Sequence, residues 1–336
     1  VQSIKDIPQL THALFPGTHC PLMGAAMAVG GIKDSLIVVV GTDECTYYTK
    51  SMTIHSEKFG GIDGRCVSVV LDDHDVTFGS AEKVQEAFKE IIEEYRPQCV
   101  FLVTTCVIEI IGDDFDAISE GLSKLYGIPV LPVHTEHFKC EDHLPGLERT
   151  ITVCAEMMKS CDCENSVNLL GQRMGDFATT ELYAMLQKAG VKIGLQLPCG
   201  CSVDDIKNAA AAKVNIVVND IALPLAQKMQ EKFGIPYVYF NKFVIPEKIY
   251  EAYKNLFVYL DLELPGELEG LYQNAREKIE KNKGELEGIT YIYGNTPYAV
   301  FEMNCFLSSL GMVPQVIQTN RYTEADEPYA KEILQY

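Results

Sequence analysis

Short runs rich in valine, isoleucine and leucine alternate with charged, amphipathic segments along almost the whole chain. That alternation restricts the fold more than any other feature, because a strand that is followed by a helix rejoins its sheet as a parallel neighbour. The runs at 36–41 (LIVVVG), 67–72 (VSVVLD), 99–105 (CVFLVTT) and 128–133 (IPVLPV) read as strands. Between them, SAEKVQEAFKEIIEEYR (80–96) opens with a Ser cap and carries apolar residues at helical spacing. A second helix is expected over 113–126 and a third over 145–159, leading into the polar stretch KSCDCENSVN. Beyond it, VKIGLQL (191–197), NIVVN (215–219) and IPYVYF (235–240) form a second strand series. A long charged helix (266–284) separates this series from the strands ITYIYG (289–294) and VPQVIQT (313–319), which flank a helix over 297–310. The expected architecture is α/β, with successive doubly wound, parallel-sheet, Rossmann-like domains. Residues 1–160 and 166–262 would form two of them, and 263–336 a connecting helix with a third domain that is short or truncated.

Twelve cysteines are many for such a chain. Their irregular spacing and the chain's 336 residues do not match a small disulfide scaffold, so metal or redox chemistry is the better reading. Cys66, Cys99, Cys154 and Cys305 sit in apolar or helical runs and read as buried small hydrophobes. Formal net charge is −19, which repels phosphate backbones and excludes nucleic acid as an expected partner. No apolar run approaches the ~18–20 residues of a membrane span. The N-terminal VQSIKDIPQL lacks a secretory signal's basic and apolar segments, so a cytoplasmic location is expected.

Three cysteines stand apart: Cys20 in FPGTHCPLMGA, Cys45 in LIVVVGTDECTYY and Cys106 in CVFLVTTCVIEIIGDD. The last two follow strand-like runs, at the sheet edge where ligands collect in open α/β folds. Three thiolates meeting there would form an incomplete ligand set for an iron–sulfur cluster. Pro16-Gly17 and Pro21 are expected to hold the Cys20 loop extended, while Gly41 allows a tight turn before Cys45. Helix-start amides after Cys106 could stabilise its anion. In LPCGCSVDD, Cys199 and Cys201 flank Gly200; such a C-x-C chelates a soft metal, sets a thiolate beside a cofactor, or is a turn with incidental thiols. Cys161 and Cys163 form a second C-x-C, read as incidental. His134, His137 and Cys140 offer zinc-type spacing without a reliable fourth ligand. His19 and His55 could hydrogen-bond a sulfur or carboxylate. No phosphate-binding G-x4-G-K-[ST], dinucleotide G-x-G-x-x-G or hydrolase G-x-S-x-G occurs in the right context.

The segments HCPLMGA, VVVGTDECTYY and DHDVTFGSAEKVQEAFKEIIEEYRPQCVFLVTTCVIEIIGDDFDAI resemble the nitrogenase component 1 family. That family comprises the subunits of the dinitrogen-reducing protein, cofactor-assembly relatives and dark-operative protochlorophyllide reductase subunits. The resemblance continues through MGDFATTELYAMLQKAGVKIGLQLPCGCSVDDIKNAAAAKVNIVVN, KMQEKFGIPYVYFN and YIYGNTPYAVFEMNCFLSSLGMVPQVIQT. It implies that Cys20, Cys45 and Cys106 hold an iron–sulfur cluster, [4Fe–4S] or larger, at the interface of a homodimer or heterodimer. It also implies electron delivery by an ATP-dependent iron-protein-type reductase to a substrate or second metallocofactor in an interdomain cleft. Cys199 and Cys201 would line that cleft, and His134 or His137 would donate protons; a solvated loop is the other reading of the two histidines. Asn219 stands where the family's dinitrogen-reducing members place a cofactor-gripping cysteine, and much of the third domain is not matched. Both departures argue against dinitrogen reduction. The expected function is the cluster-bearing, electron-accepting component of a two-component reductase. Alternatives are a scaffold for assembly or transfer of an iron–sulfur cofactor, and a cluster-free protein binding a metal chelate or tetrapyrrole.

Overall fold

The runs SLIVVVG and CVFLVT are buried along their whole length and pair in parallel, from Ser35 opposite Cys99 to Val40 opposite Thr104. A strand covered on both faces gains from apolar residues at every position, which is why neither run alternates. The computed structural model describes residues 20–54, 64–140, 142–172, 177–240, 244–294, 299–319, 322 and 324–335; His19 and His55 lie outside them. In chain order the elements begin with α1 (Pro21–Gly30), β1 (Ile32–Lys33), β2 (Ser35–Gly41), α2 (Asp43–Ile54), β3 (Cys66–Val70) and α3 (Asp73–Phe78). Then come α4 (Ala81–Tyr95), β4 (Cys99–Thr104), α5 (Cys106–Ile111), α6 (Phe115–Tyr126), β5 (Val130–Val133) and α7 (Leu144–Val153).

Four of these strands form a parallel sheet of order β3-β2-β4-β5. The chain steps from β2 to β3 and then crosses back to β4, so the winding reverses between β2 and β4. Leu36, Val38 and Val40 of β2 share an apolar core with Val100 and Leu102 of β4, Val84, Phe88 and Ile91 of α4, and Phe115, Ile118 and Leu122 of α6. Ile37 and Val39 alternate with the β2 members of that set and so face the other side of the sheet. There α1 packs on β2 and β4, and α7 on β5.

Caps mark several boundaries. Asp72 closes a capping box on α3, Asp114 accepts the Ala117 amide at the start of α6, and Gly127 ends α6 in a left-handed conformation. Ser80 differs from expectation. Its hydroxyl donates to Asp113 Oδ2 at 2.5 Å and its amide at 2.7 Å, which pins the start of α4 to the turn between α5 and α6.

The sequence PLMGAAMAVG makes α1 apolar on every side, and nine of its ten residues are buried. Its contact with α7 is backbone against backbone. A Cβ at Gly24 would fall 1.8 Å from the His143 carbonyl oxygen, and one at Gly146 would fall 1.8 Å from that of Pro21. At the far end of α1, the Arg65 guanidinium donates to the carbonyls of Gly30 (3.0 Å) and Ile32 (2.6 Å).

The second series comprises β6 (Glu164–Gln172), α8 (Glu181–Lys188), β7 (Lys192–Pro198), β8 (Cys201–Ser202), α9 (Val203–Lys207), β9 (Ala212–Val217), α10 (Leu223–Phe233) and β10 (Tyr237–Tyr239). Its sheet order, β10-β9-β6-β7, repeats the winding of the first. β8 instead pairs in parallel with β1, Ile32 opposite Cys201. The last elements are α11 (Pro246–Tyr259), α12 (Glu267–Leu286), β11 (Thr290–Tyr293), α13 (Val300–Ser309), β12 (Val313–Ile317) and α14 (Glu327–Ile333), with β11 and β12 parallel. The chain groups into two compact units: Val1–Phe177 with Ile193–Asn215 and Ile221–Pro236, and Ala178–Lys192 with Ile216–Asp220 and Tyr237–Tyr336. Among the described residues no helix is long and apolar enough to cross a membrane.

Because α1 and α7 meet through their glycines, Gly146→Ala must force the helices apart. The expected loss is about 1–3 kcal/mol in denaturant unfolding, the usual cost of overpacking. Gly121→Ala in α6, where nothing lies within 4 Å of the new methyl, should instead stabilise by about 0.5–1 kcal/mol. Equal effects from the two substitutions would overturn the packing argument.

Candidate metal centre

At their carboxyl ends β2 and β4 are locked together. The Thr105 hydroxyl donates to the Val40 carbonyl at 2.9 Å, and a Cβ on Gly41 would lie 2.1 Å from that same hydroxyl oxygen. Only glycine admits the contact. The chain leaves the two strands directly into α2 and α5, whose first turns carry Cys45 and Cys106. α1 packs against α2, and its N-cap is Cys20, with extended backbone (φ −76°, ψ 169°). Three half-buried thiols therefore sit at three helix starts, around the carboxyl edge where the sheet's winding reverses. Parallel α/β sheets collect ligands at this reversal point.

The local structure differs from the loops expected around two of these cysteines. Cys45 lies within a helix; Cys20 keeps the expected extended backbone, but Pro21 opens a helix directly after it. Proline at a helix's first position sacrifices only an amide that has no intrahelical acceptor, so it favours this start.

Burial pushes the Cys20 thiol up, against the lowering effect of hydrogen bonds from the Met23 and Leu22 amides; the charge of Cys45 raises it further. Cys106 is raised by burial and then by Cys45, opposed by its own amide and that of Val107. Cys45 is thus in electrostatic reach of both other sulfurs, and the Thr42 hydroxyl lies 3.7 Å from its own. Desolvation outweighs the helix-start amides, so Cys20 and Cys106 hold their protons more tightly than an ordinary thiol.

The donor set decides what could bind. Ligand sulfurs on one tetrahedral ion lie about 3.8 Å apart, given metal–sulfur bonds of ~2.3 Å. The three cysteines do not all fall within 4.8 Å of one another. Among the described residues only Asp72, His74 and Asp75 do, and that cluster has other work. Asp72 accepts the His74 and Asp75 amides, Asp75 accepts the Asp72 amide, and Lys83 lies 3.5 and 3.4 Å from the two carboxylates. Three half-buried thiols that do not close on one ion are the donor type of an iron–sulfur cluster, whose ligands attach to different irons.

The remaining candidates lie elsewhere. His134 and His137 follow β5 on the same sheet edge as Cys106, since Val133 pairs with Val103. His134 Nε2 lies 3.2 Å from Asp116 Oδ1, and the His137 amide donates to Glu109 Oε1 at 3.1 Å. The zinc-type grouping of His134, His137 and Cys140 does not converge. Cys140 is buried, its thiol aimed at the Thr135 and Glu136 carbonyls. Cys199 and Cys201 are placed at the opposite end of α1 from Cys20. The Gly200 amide donates to the Gly31 carbonyl at 3.1 Å, and ten helical residues at 1.5 Å per residue separate that end from Cys20 by about 15 Å. Cys199 is half-buried, but Cys201 is only 1% exposed, and its burial pushes the thiol strongly up. A site shared with the three cysteines is therefore ruled out for this pair.

Sequence reasoning missed Glu109. From α5 it accepts the Thr135 hydroxyl (2.8 Å) as well as the His137 amide, tying the loop after β5 to the helix that starts at Cys106. Its position one turn after Cys106 in VIEII was the available signal.

Residues 20–336 match the family described as Nitrogenase component 1 type Oxidoreductase. The nitrogenase iron-molybdenum cofactor biosynthesis protein NifE of Clostridium pasteurianum is 30% identical over 224 residues, 65% of this chain and 49% of that protein. NifE of Rippkaea orientalis is 25% identical over 331 residues, 94% of this chain and 69% of its own. The nitrogenase molybdenum-iron protein alpha chain of Methanosarcina barkeri is also 25% identical, over 93% of this chain and 61% of its own. These matches span between 49% and 69% of the relatives' lengths. The solved structure "Nitrogenase Cp1 at pH 6.5" superposes with a TM-score of 0.81 over 98% of this chain and 76% of that one; at 15% identity this shows a shared fold. With the match running from Cys20 to the last residue, the chain belongs to the nitrogenase component 1-type oxidoreductase family.

Proposed function

We propose that the chain is the cluster-bearing, electron-accepting component of a nitrogenase-like two-component reductase, with Cys20, Cys45 and Cys106 as ligands of a [4Fe–4S] or larger cluster. The meeting of three half-buried thiols at the winding reversal of the first sheet carries this reading. When bound, such a cluster supplies reversible one-electron storage. Thr42 and the amides at the starts of α1 and α5 are placed to hydrogen-bond the sulfurs. Three ligands from one chain leave completion of the site to a partner subunit, in a homodimer or heterodimer. An ATP-dependent iron-protein-type reductase would dock beside the thiols. Phe78 (76% exposed) and Ile110 (73%) end α3 and lie on α5, helices that pack together, and an apolar surface there suits a protein partner. His134, oriented by Asp116, is the better-placed proton donor of the two histidines for the onward reduction of a substrate or second metallocofactor.

A second reading, a scaffold for assembling or transferring a complex iron–sulfur cofactor, is favoured by the cofactor-biosynthesis relatives and by Asn219 in place of a cofactor-gripping cysteine. A steady-state assay with an ATP-dependent reductase separates the two. Substrate turnover supports the reductase component, whereas release of a cluster to an acceptor protein supports the scaffold.

Anaerobically purified protein should be brown and contain iron and acid-labile sulfide. C20S, C45S and C106S should each lose most of both while staying folded, and C161S should lose neither. Full iron content in any of the first three would remove that residue from the ligand set. Phe78→Ser should leave iron content unchanged and slow electron transfer from the reductase by at least about tenfold, the effect of losing ~1.4 kcal/mol of docking energy. An unchanged rate would place docking elsewhere.

Metal binding needs thiolates and therefore releases the protons that Cys20 and Cys106 retain. Because both are raised, their thiolate fraction in metal-free protein should stay small near pH 7 and rise only above the ordinary thiol range. Mass-spectrometric mapping of iodoacetamide labelling should then find Cys20 and Cys106 far slower than exposed Cys161 at pH 7, with the gap narrowing as pH rises above the ordinary thiol range. Equal rates at pH 7 would contradict the burial argument.

A further inference from the structure

Cys161 and Cys163 are the two exposed cysteines among the twelve, and both are free thiols. Cysteine is one of the most consistently buried residue types, so exposed thiols one residue apart have no packing role to explain them. Their backbone is anchored on both sides. The Lys159 amide donates to the Lys207 carbonyl at 2.9 Å, and β6 begins at Glu164. No turn or bend interrupts the run from Met158 to Cys163. Whatever the local conformation, a single intervening residue keeps the two Cα atoms within about 7 Å of each other. Two metal–sulfur bonds of ~2.3 Å bridge up to about 4.6 Å between sulfurs, within reach of side chains on that spacing.

We infer that Cys161 and Cys163 form a solvent-facing two-thiolate clamp for a soft monovalent d10 ion of the copper(I) class. Sulfur selects soft ions over the hard cations that Asp162 and Glu164 would attract, and two sulfurs alone complete a two-coordinate site but not a tetrahedral one. Each thiol now points to a nearby carbonyl, Cys161 to Lys159 at 3.1 Å and Cys163 to Glu164 at 3.7 Å. Binding replaces these contacts: two S–H bonds break, two metal–sulfur bonds form, and two protons pass to solvent with no change of oxidation state. The resulting bis-thiolate complex carries one negative charge, and the Lys159 side chain lies on the same short segment. The clamp is separate from Cys20, Cys45 and Cys106. Lys207, whose carbonyl anchors Lys159, acts electrostatically on Cys99 at the amino end of β4. Cys106 follows the other end of that strand, about 20 Å away at 3.3 Å per residue.

The test titrates the anaerobic, as-isolated protein with copper(I) against a chromophoric copper(I) chelator, alongside C161S, C163S and the double variant. Circular dichroism checks that the fold is retained, as expected for exposed positions. Wild-type protein should bind one more equivalent than the double variant, and either single variant should bind that equivalent at least tenfold more weakly. The same equivalent should block maleimide labelling of Cys161 and Cys163 together. Equal stoichiometry in wild-type and double variant, single variants that bind as well as wild type, or labelling unaffected by the metal would each overturn the clamp.

Discussion

One hydrogen bond organises the functional end of the first unit: the Thr105 hydroxyl donating to the Val40 carbonyl across the space that Gly41 leaves open. Neighbouring strands lie ~4.8 Å apart, so two that are tied at their carboxyl ends launch their helices side by side. An α-helix begins with amides that have no intrahelical acceptor, and these are suitable partners for sulfur. Cys45 and Cys106 occupy those first turns because strand, tight turn and helix follow one another with almost no loop between. The winding of the sheet does the rest. It leaves this edge uncovered by a crossover, since β3 lies to one side and β5 to the other.

The third thiol arrives by a different route. No strand leads into Cys20; its position depends on how α1 lies against α7, where Gly146 allows the Pro21 carbonyl to approach backbone to backbone. α1 carries no charged residue and is buried almost throughout. Arg65 satisfies carbonyls at its far end, where a Cβ on Gly31 would meet the Pro198 carbonyl oxygen at 2.2 Å. α1 is therefore a spacer of fixed length. It holds the edge with Cys20 and the LPCGC turn about 15 Å apart, which is why the two groups of cysteines share no site.

Much of this was legible in the residues. The central strands of the first sheet were, because a strand buried on two faces has to be apolar throughout, and LIVVVG and CVFLVT are; β6 of the second sheet was not, since ENSVNLLGQ begins in the polar stretch KSCDCENSVN. The convergence of Cys45 and Cys106 followed from their place after two such strands. The helices carrying them did not: GTDECT holds residues of modest helix propensity, and VIEII is β-branched enough to pass for strand. Their helicity comes from packing, α2 against β3 and α5 against β2 and α3. Pro21 leaves Cys20 extended and outside the helix, as read, yet itself opens α1, since proline obstructs a helix interior but suits its first turn. The burial of Cys201 had no local signal at all, because it rests on the pairing of Ile32 with a residue half the chain away.

The two edges of the first sheet show why one residue type has two fates. Cys99 opens β4 at the amino edge, and buried Cys154 lies close enough to both Cys99 and Cys201 to feel their charges. Burial drives all three far up, and Lys207 offsets little of it at Cys99. At this edge of a parallel sheet the crossover helices arrive by their carboxyl ends, as α4 does just before Cys99. A helix carboxyl end carries partial negative charge and opposes a thiolate, while an amino end favours one. The carboxyl edge presents half-open thiols beside three helix starts; the amino edge presents sulfur that only packs. Sheet polarity, set by nothing more than parallel strand direction, thus sorts the cysteines of this unit into half-open thiols at helix starts and buried core thiols.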